Sequence, residues 1–173
     1  GHVFSYLRKG SAASRMTPDH LVPGLIQSAR FFHTSGISQA ISQSACDTVF
    51  AAIEIARSGG VMVSFDANIR PRLWSSSRAR DIVAKTIPLT DYFLLSLEDA
   101  ELLGAPKDRT DIIRWAHDLG GQHVVLKLGA EGILASDRRN VHLVPGHSVT
   151  SVDATGAGDC CAGALLARLA LGD

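Results

Sequence analysis

Asp153-Ala154-Thr155-Gly156-Ala157-Gly158-Asp159 leads into Ala157 to Leu171, a stretch of small and apolar residues that reads as a helix. Two glycines and a carboxylate therefore stand where a strand gives way to a helix. The first backbone N–H groups of a helix lack internal partners and carry partial positive charge. Gly156 and Gly158 let that backbone approach an anion closely, which makes the segment a phosphate cradle. Asp159 is the odd member, because a carboxylate beside bound phosphate is unfavourable unless it has a task. Accepting a proton from a hydroxyl that attacks phosphorus is such a task. The plainer reading is an Asp cap on a tight Gly-Ala-Gly turn. That reading suffices for Gly-x-Gly alone, and less well for seven residues with Asp at both ends.

Outward from this segment, strand-like and helix-like stretches alternate. Val3 to Leu7 reads as a strand, Thr17-Pro18-Asp19 as a helix start, and Arg30 to Gly36 as a strand ending in a turn. From Ser38 to Ser58, Ile41, Ala45, Val49, Ile53 and Ala56 recur at helical spacing, and Gly59-Gly60 stops the helix. Val61 to Phe65 is a buried-type strand, followed by a loop from Asp66 to Leu73. A helix is expected over Ser75 to Ile87, a strand over Tyr92 to Leu95, and helices near Glu98 to Leu103 and Asp111 to Leu119. His123 to Leu128 is a further strand. Gly132 to Ala135, Asn140 to Val144 and Ser148 to Val152 read as antiparallel or edge strands. The alternation predicts an α/β fold, with a mostly parallel sheet and helices on both faces. Ligands then bind beyond the C-terminal strand ends. Ser35, Gly36, Asp66 to Arg70, Ser96 and Lys127 to Gly132 all fall there.

Ser64-Phe65-Asp66-Ala67-Asn68-Ile69-Arg70-Pro71-Arg72-Leu73-Trp74 is a polar loop stiffened by proline directly after an apolar strand. Asp66 and Asn68 can orient each other or a ligand hydroxyl, and Arg70 can clamp a carboxylate through two parallel hydrogen bonds. An arginine paired with a neighbouring acid is the structural alternative. Tyr6 and Arg8, two apart on a strand, face the same side. They either grip a polar ligand or form a solvated face. Lys127-Leu128-Gly129-Ala130-Glu131-Gly132 is by itself a turn between strands. Ser96-Leu97-Glu98-Asp99 is either a phosphate-side motif or a helix start enriched in acids to suit its dipole.

Asp153 to Asp159 resembles the C-terminal signature of the ribokinase-like (PfkB-type) sugar kinases, and Asp66-x-Asn68-x-Arg70-Pro71-x-Leu73-Trp74 resembles the 2-keto-3-deoxygluconate kinase branch. Tyr6-x-Arg8 with Ser11-Ala12 is similar to a segment of the same branch. The resemblance implies a three-layer αβα, ribokinase-like fold over residues 1–173 as one partial domain. It implies Asp159 as catalytic base and the amides of Gly156, Ala157 and Gly158 as an anion hole. Tyr6, Arg8, Asn68 and Arg70 would hold the substrate, and Ser96, Lys127, Gly129 and Gly132 would line the ATP side. ATP and Mg²⁺ are the implied cofactors, with Asp99 reaching the metal through water. The reaction implied is transfer of the ATP γ-phosphoryl group to the terminal hydroxyl of 2-keto-3-deoxygluconate. Two cations, Arg8 and Arg70, suit a sugar acid better than a neutral sugar. The alternatives are a kinase for another sugar, such as fructose or ribose, or a non-catalytic nucleotide- or anion-binding domain. Three departures stand out: Ser96 replaces Asn, Asp99 replaces Glu, and Cys161 stands where the family has a bulky aromatic. Family members are longer at both ends, so the resemblance also implies a fragment lacking the N-terminal and lid part and the C-terminal end. At this length it is expected to be inactive if the missing parts complete the site. A homo-oligomer would belong to the full-length protein.

Composition agrees with this reading. Across 173 residues, hydrophobic types make up 46% and charged types 20%, and the formal net charge is +0. That balance gives no electrostatic reason to bind nucleic acid or an anionic membrane. No stretch is long and apolar enough to span a bilayer, and no signal peptide is visible. No Walker A motif is present. Cys46, Cys160 and Cys161 have no zinc-type spacing and are expected to be small, buried apolar residues in a reducing cytoplasm.

Overall fold

The structure is a computed structural model and describes residues 10–172. Tyr6, Arg8 and the strand expected over Val3 to Leu7 lie outside the described residues.

Among the described residues, four strands form the parallel part of the sheet: β1 (Phe31–Ser35), β2 (Met62–Asp66), β3 (Tyr92–Ser96) and β4 (His123–Lys127). They run side by side in chain order and are joined by helical crossovers. β5 (Gly132–Ser136) and β6 (Val141–Pro145) then add an antiparallel hairpin at the β4 edge. The helices are α1 (Pro23–Gln27), α2 (Gly36–Ala40), α3 (Gln43–Ser58), α4 (Ser76–Thr86), α5 (Leu97–Leu103), α6 (Arg109–Asp118) and α7 (Ala157–Leu171).

Alternation along the strands divides the side chains between two faces. Phe65, Phe93, Leu95, Val124 and Leu126 point to one face. There they pack with Ala79 and Val83 of α4, Ala100 and Leu103 of α5, and Ile112, Ile113 and Ala116 of α6. α3 extends this layer through Val49, Ile53 and Ala56 against Val63 and Phe32. The opposite face carries Leu94 and Val125, and among the described residues α7 covers it through Ala162 and Leu165. Among the described residues the sheet is thus covered on both sides, heavily on one and by one helix on the other.

Two expectations change. The helix expected from Ser38 to Ser58 is interrupted, because Ser42 adopts an extended backbone and its side chain accepts from the Ala45 amide. A capping serine there starts α3 afresh. Ser148 to Val152 forms no strand. Its residues are exposed, Val152 at 96%, and no backbone ladder pairs them. Alternating apolar residues without a neighbouring edge do not make a strand.

Candidate active site

Ser35, Asp66, Ser96 and Lys127 are the last residues of β1 to β4. Ser35 pairs in register with Asp66, and Ser96 with Lys127. The C-terminal sheet edge thus gathers the expected polar groups in one row, as open α/β sheets do.

The loop after β2 is pinned from several directions. Ala67 donates its amide to the Leu94 carbonyl at 2.9 Å. Asn68 donates its amide to Asp66 Oδ1 at 3.2 Å, and Ile69 donates its amide to Asp99 Oδ1 at 2.7 Å. Ala67 and Ile69 are buried in the core, while Asn68 takes a positive φ of 39°, which asparagine tolerates better than most residues. Gly36, opening α2, fits beneath this loop; a Cβ there would collide with the Ala67 carbonyl. Arg70 emerges half-buried, with one N–H donated to the Ile69 carbonyl at 2.9 Å. It has no carboxylate partner among the described residues.

Asp99 is a brace in this structure. It is 4% exposed. Besides Ile69, it receives the Ser96 amide and hydroxyl on Oδ2, each at 2.9 Å. The Ser96 hydroxyl also accepts from the Asp99 amide at 3.0 Å, completing a capping box at the start of α5. Ser96 and Asp99 thus form a helix start, one of the two readings that this segment carried. No cluster of three or more His, Cys, Asp or Glu able to hold a metal occurs among the described residues. Magnesium in general keeps waters and takes substrate phosphates, so it needs few protein ligands.

At the start of α7, Asp153 Oδ1 accepts from the Thr155 amide at 2.8 Å, and this bond holds the Asp153 carboxyl below its ordinary range. Gly156 follows with φ 78°, the left-handed conformation that glycine adopts readily. The first intrahelical bond runs from the Cys160 amide to the Gly156 carbonyl at 2.8 Å. The Ala157 amide, expected in the anion hole, is instead donated to the Ala154 carbonyl at 3.1 Å, because residues 154–157 close a turn. The amides of Gly156, Gly158 and Asp159 have no partner among the described residues. That cradle fits phosphate oxygens. Asp159 is exposed in the first turn, open to a ligand.

The remaining expected residues separate by their surroundings. Gly129 has φ 63° and open space around it. Gly132 packs directly under β6, where a Cβ would strike the Val144 carbonyl, so it shapes the hairpin. Cys160 is exposed rather than buried, whereas Cys46 is buried.

Sequence reading missed two features. One is an ion pair between Lys127 Nζ and Asp66 Oδ2 at 2.6 Å, with side chains only 16% and 3% exposed. The other is His33, whose Nδ1 lies 3.1 Å from Ser64 Oγ. Partial burial lowers the His33 pKa, Asp66 and Asp159 raise it, and Lys127 lowers it. His33 therefore feels both sides of the site. Burial raises the Asp66 pKa, and Lys127 opposes that rise. The available signal was positional, since Asp66 and Lys127 each end an apolar strand.

Comparison with known proteins adds an independent line. The pfkB family carbohydrate kinase model matches residues 4–173. The chain is 34% identical over 97% of its length to a 2-dehydro-3-deoxygalactonokinase of Haloferax volcanii, and covers 54% of that protein. It is 36% identical over 94% of its length to a 2-dehydro-3-deoxygluconokinase of Thermoproteus tenax, covering 49% of it. A fructokinase of Solanum tuberosum is 34% identical over 96% of the chain, with 49% of that protein covered. Among solved structures, a fructokinase of Vibrio cholerae with fructose, ADP and calcium bound superposes with a TM-score of 0.76 at 32% identity. That match covers 86% of this chain and 49% of the other. The chain thus spans about half the length of the curated relatives it matches.

Proposed function

Because this chain belongs to the pfkB family of carbohydrate kinases, we propose that it is part of an ATP-dependent kinase that phosphorylates a 2-keto-3-deoxy sugar acid at its terminal hydroxyl, with 2-keto-3-deoxygluconate as the preferred substrate. The observation that carries the choice of substrate is Arg70. It is a half-buried guanidinium on a pinned loop, without a carboxylate partner among the described residues. A partly desolvated cation gains most from a ligand carboxylate, and the planar fork of arginine suits one.

In this reading Arg70 and Asn68 orient the acid, and Asp159 takes the proton from the attacking hydroxyl. The amides of Gly156, Gly158 and Asp159 stabilise charge on the transferred phosphoryl group without reorganising. MgATP, when bound, supplies the phosphoryl group and the metal charge that neutralises it. Positioning then accounts for much of the acceleration.

A second reading, a fructokinase, is favoured by the potato relative at comparable identity. Arg70→Ala separates the two in a protein of the relatives' full length carrying these residues. It should lower kcat/KM for the keto acid by roughly 10–10²-fold, as expected for lost charge-assisted hydrogen bonds, and leave fructose unaffected. Equal losses for both sugars, or no loss for the keto acid, overturn the sugar-acid assignment. Asp159→Asn should cut kcat about 10²–10⁴-fold, and near-normal turnover would remove Asp159 as the base.

A further inference from the structure

The buried Lys127–Asp66 pair calls for an explanation beyond stability. Taking an ammonium and a carboxylate out of water is costly, and a well-packed apolar pair in the same place often serves a fold equally well or better. Burial pushes the Asp66 carboxyl up against its partner's influence, so the pair sits under that cost. Its location suggests what the charges do.

Asp66 uses both oxygens. Oδ1 receives the Asn68 amide at the head of the 66–70 loop, and Oδ2 receives Lys127 Nζ. On its other side the ammonium faces the start of α7, where a Cβ added at Gly158 would lie 3.4 Å from it. One ammonium thus stands between the strand end that launches the loop bearing Asn68 and Arg70, to which it is paired, and the helix start bearing Gly156, Gly158 and Asp159, which it adjoins. These segments are far apart in sequence, and no side-chain hydrogen bond or ion pair links them directly among the described residues. The contact is also poised electrostatically. The start of α7 is a positive pole, so an ammonium beside it is repelled unless an anion balances it, and Asp66 is the anion in direct contact.

We propose that Lys127 is a positioning residue that sets the sugar-holding loop in register with the phosphate cradle. This rests on the kinase reading above for its kinetic consequence and on geometry alone for the coupling. Lys127→Met keeps the length of the stem and removes the charge. Asp66→Asn keeps the shape and removes the partner charge, and the double variant removes both.

The test has two parts. In the chain itself, backbone amide resonances of residues 156–160 should move in Asp66→Asn and those of 66–70 in Lys127→Met, with shifts in the double variant differing from the sum of the singles. In a protein of the relatives' full length, each single variant should lose about 10²-fold in kcat, the scale of a small misplacement of reacting groups, with KM for both substrates little changed. The double variant should regain thermal stability without regaining kcat. Activity returning together with stability would make the pair merely structural and overturn the proposal, as would amides of 156–160 that ignore Asp66→Asn. If the unmodified full-length protein phosphorylates no sugar, the functional reading fails, while the amide shifts still decide the coupling.

Discussion

His33 stands on β1 in the field of Asp66, Asp159 and Lys127, and its ring reports on their arrangement. Its pKa lies below the ordinary 6.5 because partial burial and Lys127 outweigh the two carboxylates. Asp159→Asn removes one of the influences that raise it, so the His33 titration, followed through its imidazole proton resonances, should move further down. A shift upward, or none, would place Asp159 too far away to act at this end of the sheet. The sign also bears on stability. A histidine whose folded pKa is depressed contributes stability that is present above its unfolded value and lost as pH falls through the folded one. Single residues were unevenly legible in the sequence. Asp159, Gly156 and Gly158 announced themselves because the cradle is contiguous. The Lys127–Asp66 pair did not, because its members are brought together only when β2, β3 and β4 align.

At the level of elements, the β5–β6 hairpin turns on one carboxylate. Asp137 Oδ1 accepts from the amides of Asn140 at 2.7 Å and Arg139 at 3.1 Å, and Oδ2 accepts from the Asn140 side chain at 3.2 Å. Arg138 takes φ 74° between them and donates to the Gly121 and His117 carbonyls, fastening the turn to the end of α6. These bonds, those from Asn140 foremost, lower the Asp137 pKa from 3.8 to about 2. A depressed carboxylate contributes stability above its unfolded value and loses it as pH falls through its folded value. Acidification should therefore leave the Arg139 and Asn140 amide resonances in place near pH 4 and move them with a midpoint of about 2. A midpoint at the ordinary 3.8 would mean that the turn is not built on Asp137. Elements were the most legible scale, because strand and helix periodicities are local. The break at Ser42 needed its capping geometry, and the failure at Ser148 to Val152 needed knowledge of which edge was available. Ser96 and Asp99 carried two readings because the same residues suit a helix start and a phosphate site, and the hydrogen bonds to Ile69 and within the capping box establish the helix start.

At the scale of the whole chain, the two layers flanking the sheet differ in depth among the described residues, and their stabilities should differ accordingly. The face bearing Phe65, Phe93, Leu95, Val124 and Leu126 is closed by α2 to α6, and each of these five residues is 0% exposed. On the other face, α7 buries Ala162 alone and leans on Leu94, Val125, Tyr92 and Ile133. Its far end is tied by Arg30, which donates to the Ala170 carbonyl in the last turn, where a cation suits the helix dipole. Apolar burial sets how much free energy a local opening must overcome. The α7 amides should therefore exchange through a local opening with little dependence on denaturant, while those of β2 to β4 exchange only on global unfolding. Within this chain, the helix that carries Asp159 and the phosphate cradle is expected to open first, and Lys127 Nζ, beside Gly158, is one point at which the rest of the chain meets it. Lys127→Met should then speed exchange in the first turns of α7 more than in its last turn, where Arg30 still acts. Uniform protection across α7 and the central strands, with the same denaturant slope, would show instead that the molecule opens as one unit and that the thinner layer is as firmly held as the thicker one.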